Sequence, residues 1–359
     1  MVSDPLFDVL RSYAILKSPK LIQRPSVSFK SAHNFLLDHV LLNPHFQEFP
    51  PSGQYQLSFW KWAVDWLEGL MTEEDELDER IYSHHVDLLQ STPSYVRINN
   101  VWFAMPQPSY LTYLWPTTRV MERPVYPGYA SATLLESRTT IEAGTTGLRT
   151  WSASLVLAQY ILTHPELIVA RRVLELGCGV GFLGLIAASV QLEGRDPENA
   201  SLWLTDVNER VLQRCETNLS LTCNDSSHHS NVRVQLLDWS DAVDPSRRPS
   251  VSGLFNEASP DVILGADLVY GPSIIPLLVG VLNMALRPRG EQHNPVAYIA
   301  LTVRNPSTIA DFIQQAGESL AIEEVAALPV VQNLFTQSTE LGQDASQEVK
   351  IIIIKRRAD

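Results

Sequence analysis

Downstream of about residue 130 the chain alternates two kinds of hydrophobic pattern. Short apolar runs, RRVLEL, SLWLTDV, VRVQLLDW, PDVILGA, VAYIALTV, AIEEVAAL and EVKIIIIKR, read as strands. Between the first five lie helix-like stretches, GLIAASVQL, RVLQRCETNLSL and IIPLLVGVLNMAL, with residues 240–259 expected as a loop-rich crossing. Strand followed by helix, repeated, predicts a doubly wound α/β sheet with helices on both faces. TIADFIQQAGESL follows the fifth strand as a further helix. The sixth and seventh strands are joined by polar chain without the pattern of a crossover helix, so they are expected to pair antiparallel. Seven strands ending in an antiparallel hairpin differ from the six-stranded dinucleotide fold.

Upstream the period changes. Phe59, Trp62, Ala63, Trp66 and Leu70 recur at helical spacing, giving an amphipathic helix with an acidic exit. Its tryptophans read as helix packing rather than a ligand cage, with Trp60 off the stripe. Pro93, Pro106, Pro108, Pro116, Pro124 and Pro127 then favour an extended, irregular connector over helix or central strand. The expected division is a mainly helical N-terminal domain with its proline-rich connector over residues 1–128, a candidate for substrate recognition, and a second domain over 129–359. No internal repeat or low-complexity tract is found.

Composition narrows the class. At 359 residues the chain exceeds one average domain, and 45% hydrophobic residues can build a sizeable core. No apolar run reaches the roughly 18 to 20 residues of a membrane span, and the first residues lack a secretory pattern. Cys178, Cys215 and Cys223 cannot all pair and lack the spacing of a structural zinc site, which fits a reducing compartment. His84, His85, His228 and His229 are expected at the surface, because adjacent histidines lack the geometry of a shared helical face. A formal charge of −13 argues against broad contact with nucleic acid phosphates and suits a basic protein partner.

The first strand runs into glycines at 177, 179, 181 and 184. Residues 179–184 satisfy the G-x-G-x-x-G fingerprint, a weak signal alone. Glycines let backbone approach a ligand, and the turn opens into a helix N-terminus. Asp206 ends the second strand, placed to accept from both ribose hydroxyls or to cap the helix after it. Asp238 and Trp239 end the third. That pair could accept from an adenine amino group and cover its ring, or be a solvated acid and edge packing. Ala266, at the end of the fourth strand, leaves room beside the crevice.

Glu175 and the glycines after it, in VLELGCGVG, resemble motif I of class I S-adenosylmethionine methyltransferases. GADLVYGP carries Asp267 and Tyr270 in an Asp-x-x-Tyr pattern, similar to the motif after strand four in seven-strand protein lysine methyltransferases. With TTGLRTW, LDW and TVRNPST, the chain resembles the eukaryotic elongation factor 2 lysine methyltransferases, as a fungal member, over most of residues 130–310. The resemblance implies a Rossmann-like seven-stranded class I sheet behind a helical extension, with S-adenosylmethionine as methyl donor and S-adenosylhomocysteine as product. Trp151, Glu175, Gly177, Cys178, Gly179, Asp206, Asp238, Trp239 and Ala266 are then expected around the cofactor. Cys178 departs from a Ser in relatives, and the divergent 240–259 loop puts substrate contacts in doubt.

In that setting Asp267 would grip the incoming lysine and Tyr270 close its channel, while Arg304 and Asn305 could orient the substrate backbone, Asn305 equally serving as a helix cap. The implied protein is a cytoplasmic monomer acting on elongation factor 2, without a metal, a membrane or direct nucleic acid contact. Other readings stay open: another protein substrate such as a chaperone or translation factor, a small-molecule methyltransferase, a nicotinamide-dependent oxidoreductase, or a catalytically silent scaffold.

Overall fold

A computed structural model describes residues 4–91, 95–98, 101–104, 107–142, 144–194, 197–290, 293–325, 334–335 and 348–357. Pro93 and Pro106, and residues 326–328 of the sixth apolar run, lie outside them. The chain forms two compact units, one within Met1–Thr140 and the other within Ile141–Phe335 together with the C-terminal strand.

The first unit holds helices α1 (Pro5–Ala14), α2 (Phe29–Phe35), α3 (Pro44–Glu48), α4 (Gly53–Glu68) and α5 (Glu79–Ser91). Two antiparallel hairpins follow, β1 (Tyr95–Ile98) with β2 (Val101–Ala104) and β3 (Ser109–Pro116) with β4 (Tyr129–Glu136). The proline-rich stretch is thus more regular than its composition suggests. Pro108 precedes β3, Pro116 ends it, and Pro124 and Pro127 sit in the connecting loop, positions that need no ladder donor from proline. The sequence starts the second domain at 129, but β4 pairs along its whole length with β3 and so packs with the first unit. Trp60 is also a correction. It is fully buried, edge-on to His84 at 5.4 Å, because α4 buries a second row, Trp60, Val64 and Leu67, beside Phe59, Ala63 and Trp66.

The second unit runs α6 (Ser152–Thr163), β5 (Arg172–Leu176), α7 (Phe182–Leu192), β6 (Ser201–Asp206), α8 (Glu209–Leu219), β7 (Val232–Leu236) and α9 (Arg248–Ala258). It continues with β8 (Val262–Ala266), α10 (Ile275–Ala285), β9 (Val296–Thr302), α11 (Pro306–Gly317), β10 (Leu320–Val325) and β11 (Val349–Arg356). The seven strands lie in the order β10-β11-β9-β8-β5-β6-β7. β5 to β9 are parallel, and β11 inserts antiparallel to both neighbours, Val349 opposite Thr302 and Lys355 opposite Val296. Helices α9, α10 and α11 cover one face of the sheet and α6, α7 and α8 the other. The central parallel strands are buried on both faces, which is why they read as continuous rather than alternating apolar runs.

Two local readings change. Residues 240–259 contain α9, whose Val251, Phe255 and Ala258 bury one stripe while serine, glycine, asparagine and glutamate between them hide the period. His229 is buried, not superficial: its Nε2 lies 3.0 Å from the Gln191 side-chain oxygen, supplying a partner to an amide with no access to solvent. His84 and His85 are half-buried, while His228 is exposed.

Candidate functional site

β5 has β6 on one side and β8 on the other, so the direction in which strands are added reverses beside it. Doubly wound sheets place ligands outside the carboxyl ends of the strands at such a point. The turn after β5 is built for close approach. Gly177, Gly179 and Gly181 have φ of +64°, +53° and +93°, the left-handed region that disfavours other residues. A β-carbon on Gly177 would stand 2.8 Å from a Leu268 methyl and 3.7 Å from the Trp239 ring, and one on Gly179 3.2 Å from the Gly147 carbonyl oxygen.

Glu175 lies beneath this turn, 3% exposed. Burial first, then the Asp206 charge, push its carboxyl well above the usual range, while the Gly184 amide in the first turn of α7 draws it down. Its Oε2 is buried with no hydrogen-bond partner, an arrangement that asks for a donor from a ligand or a proton.

Asp206 closes β6. Its Oδ2 accepts from the Gly179 amide at 3.3 Å and its Oδ1 from the Asn208 amide at 3.0 Å. Burial raises its carboxyl above the ordinary value and these amides oppose the rise. The helix-cap alternative goes to Asn208, whose side chain accepts from Arg210 and Val211. Beyond β7, Asp238 accepts from the Ser240 amide at 2.8 Å, capping a short turn that carries Trp239. That indole is half-buried, packed on the sheet core and against Gly177. Carboxylates at the ends of β6 and β7, an indole against the glycine turn and the open backbone of that turn together suit a nucleoside, with Asp206 toward a ribose diol and Trp239 toward a base.

Cys178 faces elsewhere. It is 6% exposed, with its Sγ 3.9 Å from Cys215 Sγ on α8, and that contact together with burial pushes its thiol up. Its backbone is engaged as well, the amide donating to Thr205 O at 2.9 Å and the carbonyl accepting from the Gly181 amide at 3.0 Å. Ala266 ends β8 opposite Ala300, keeping this wall small. Among the described residues no group of three or more His, Cys, Asp or Glu is placed to hold a metal ion.

Asp267 follows β8 with φ of +53°, uncommon for a residue other than glycine. Its amide donates to Ala300 O at 2.9 Å, and its carboxylate accepts from the Thr302 amide at 2.9 Å, the Thr302 hydroxyl at 3.0 Å and Arg304 at 3.3 Å. Tyr270, three residues on, is 73% exposed. Desolvation and then the Asp206 charge raise its hydroxyl above the ordinary value. Trp151 stands at the start of α6, its Nε1 donating to Thr146 O at 3.1 Å, with the guanidinium of Arg149 4.9 Å and that of Arg304 4.7 Å from its ring. Asn305 is the cap of α11, accepting from the Ser307 amide at 3.1 Å and hydroxyl at 2.9 Å. Sequence reasoning missed Gly147 and Thr302 as parts of this site, although TTGLRTW and TVRNPST drew attention to their segments.

Comparison with known proteins agrees with this geometry. The lysine methyltransferase family matches residues 133–318. The human protein-lysine N-methyltransferase EEF2KMT is 36% identical over 200 residues, 54% of this chain and 56% of that protein. Its Bos taurus counterpart is 29% identical over 301 residues, 79% and 77%. The protein-lysine N-methyltransferase EFM3 of Chaetomium thermophilum is 33% identical over 187 residues, 52% and 51%. The chain thus spans about half the length of the human and Chaetomium relatives. A family match across half of the chain, centred on this crevice and its sheet, means that the chain belongs to the lysine methyltransferase family.

Proposed function

We propose that the chain transfers a methyl group from S-adenosylmethionine to a lysine side chain of elongation factor 2, acting as a monomer in the cytoplasm. The observation that carries this reading is a left-handed glycine turn after β5, tied to the strand-end acid Asp206, with a second strand-end acid, Asp267, following the neighbouring strand β8. The pocket fits the cofactor's chemistry: Glu175 Oε2 is a buried acceptor without a donor, and the glycine turn is a cradle that β-carbons would fill. Asp206 would hold the ribose hydroxyls, Asp238 and Trp239 the adenine, and Glu175 the polar end beneath the turn.

When bound, the cofactor supplies an electrophilic methyl carbon on a cationic sulfur. This chain's residues must present a neutral amine in line with it. A free lysine at pH 7 is protonated, and neutralising it from about 10.4 costs roughly 4 to 5 kcal/mol. Asp267 orients the amine, and burial of the nitrogen beside a cation lowers that cost. No side chain needs to form a covalent bond with the substrate, and water can take the proton.

The substrate rests on the resemblance through TTGLRTW and TVRNP and on relatives named EEF2KMT. An acidic chain with a tryptophan-bearing helical unit has surface suited to docking on a folded basic partner. The test is labelled-methyl transfer into a lysate from cells lacking this protein, followed by mass spectrometry of the labelled band. Label on one lysine of elongation factor 2 is expected. Label only on a chaperone or another translation factor would reject the substrate and keep the lysine chemistry, and no label on any protein would reject both.

A further inference from the structure

The Asp267 carboxylate is already shared. Its Oδ1 accepts from the Thr302 amide at 2.9 Å, and its Oδ2 from the Thr302 hydroxyl at 3.0 Å and the Arg304 guanidinium at 3.3 Å. An ionised carboxylate offers about four lone-pair positions. With three filled, one position, on Oδ1, is left for an incoming ammonium. Arg304 is fixed from a second direction, its guanidinium 4.7 Å from the Trp151 ring centre and its side chain 37% exposed.

We propose that Arg304 is a positioning residue that, by holding the Asp267 carboxylate alongside the substrate lysine, offsets its charge and lets the bound ammonium give up its proton. This rests on the reading of Asp267 as the group that orients lysine. An unshared carboxylate beside an ammonium favours the charged form by about 1 to 3 pH units, against a reaction that needs a free lone pair. A guanidinium on the same carboxylate reverses much of that preference while leaving the oxygen in place as an acceptor. The lysine proton passes to water, the nitrogen lone pair forms the new bond to the methyl carbon, and the carbon–sulfur bond breaks with its pair left on sulfur.

Among the described residues, the other charged groups around this end of the sheet do not supply the same offset. Arg149 lies against the Trp151 indole, 4.9 Å from the ring. Tyr270 and Asp206 add no cation. On β11, which pairs with β9 at Thr302, Lys350 is bound to Glu324 at 2.8 Å, and Glu348 beside it is acidic.

The test is kcat against pH for wild type, Arg304→Gln and Arg304→Lys, with purified elongation factor 2 as acceptor, and calorimetric binding of the factor to each protein without cofactor. In Arg304→Gln the rising limb of kcat is expected to move about one unit to higher pH. Its turnover near pH 7 then falls about tenfold and recovers in alkali, while the factor binds at least as tightly. Arg304→Lys should return the limb to its wild-type position, since a lysine can also share the carboxylate. A kcat lowered by one factor at every pH, with the limb unmoved, overturns the proposal. The underlying reading fails differently: an Asp267→Asn protein that methylates the factor at the wild-type rate removes Asp267 itself, whereas an inactive Asp267→Asn with an unmoved Arg304→Gln limb removes only the role of Arg304.

Discussion

The Gly147 carbonyl oxygen lies 3.2 Å from the point where a β-carbon on Gly179 would stand, so two loops distant in sequence meet backbone to backbone. Gly147 is itself pressed on Val211, whose methyls lie 3.0 and 3.1 Å from its own would-be β-carbon. Gly179→Val therefore puts a branched side chain at φ of +53° against the Gly147 carbonyl. The backbone cost is about 1 to 2 kcal/mol, which the fold can absorb. Titration calorimetry with S-adenosylhomocysteine should show no binding to a folded Gly179→Val protein. Unchanged affinity would place the pocket elsewhere.

Glu175→Gln tests the orphaned oxygen. The native carboxylate is opposed by burial, and its folded-state value lies above the unfolded one, so its contribution favours the fold below the unfolded value and is lost as pH rises. The amide removes that opposition and keeps the shape. Melting of Glu175→Gln at pH 7 should occur at or above the wild-type temperature, while affinity for S-adenosylhomocysteine falls about tenfold or more, the loss of one charge-assisted hydrogen bond. Equal affinity would show that Oε2 meets no ligand.

Trp239 joins packing to recognition, since its ring lies against Gly177 and on the core of the sheet. Trp239→Ala should lower both stability and cofactor affinity, with a stability loss toward the low end of about 3 to 5 kcal/mol, because the ring is only half-buried. Trp239→Phe restores a ring face and should recover most of the affinity. If Trp239→Phe binds no better than Trp239→Ala, stacking on this residue is not part of adenine recognition.

The first unit carries a pH sensor of its own stability. His45 is mostly buried, with Nε2 2.9 Å from the Thr112 hydroxyl, and burial lowers its value from 6.5 to about 4. The folded state thus binds fewer protons than the unfolded chain between those values. Its contribution is whole above pH 6.5 and is lost as pH falls toward 4, at most on the order of 3 kcal/mol. Urea midpoints measured from pH 7 to 4 should fall less steeply in His45→Gln than in wild type. Parallel slopes would contradict the assignment.

What the sequence revealed follows from where the signal is local. Parallel strands buried on both faces and a turn needing glycine at 177, 179 and 181 leave marks that no partner can erase, so the sheet and its cradle were legible. α9 was not, because Val251, Phe255 and Ala258 are diluted by polar residues and only packing shows their alignment. Trp60 was misplaced because the second row it shares with Val64 and Leu67 lies beside the first and only packing shows that both are covered, and His229 because burial against one carboxamide has no periodicity. Cys178 stood in the right turn, but sequence cannot show that its thiol turns to Cys215. The partnership of Asp267 with Thr302 and Arg304 depends on β8 and β9 lying side by side, a relation between segments 35 residues or more apart.

The central claim is that this crevice methylates a protein lysine oriented by Asp267. Its most direct test is methyl transfer to purified elongation factor 2 by wild-type and Asp267→Ala proteins, each first shown by calorimetry to bind S-adenosylhomocysteine. One methylated lysine with the wild type and none with Asp267→Ala, at equal cofactor affinity, is the expected result; equal methylation by both, or by neither, would contradict it.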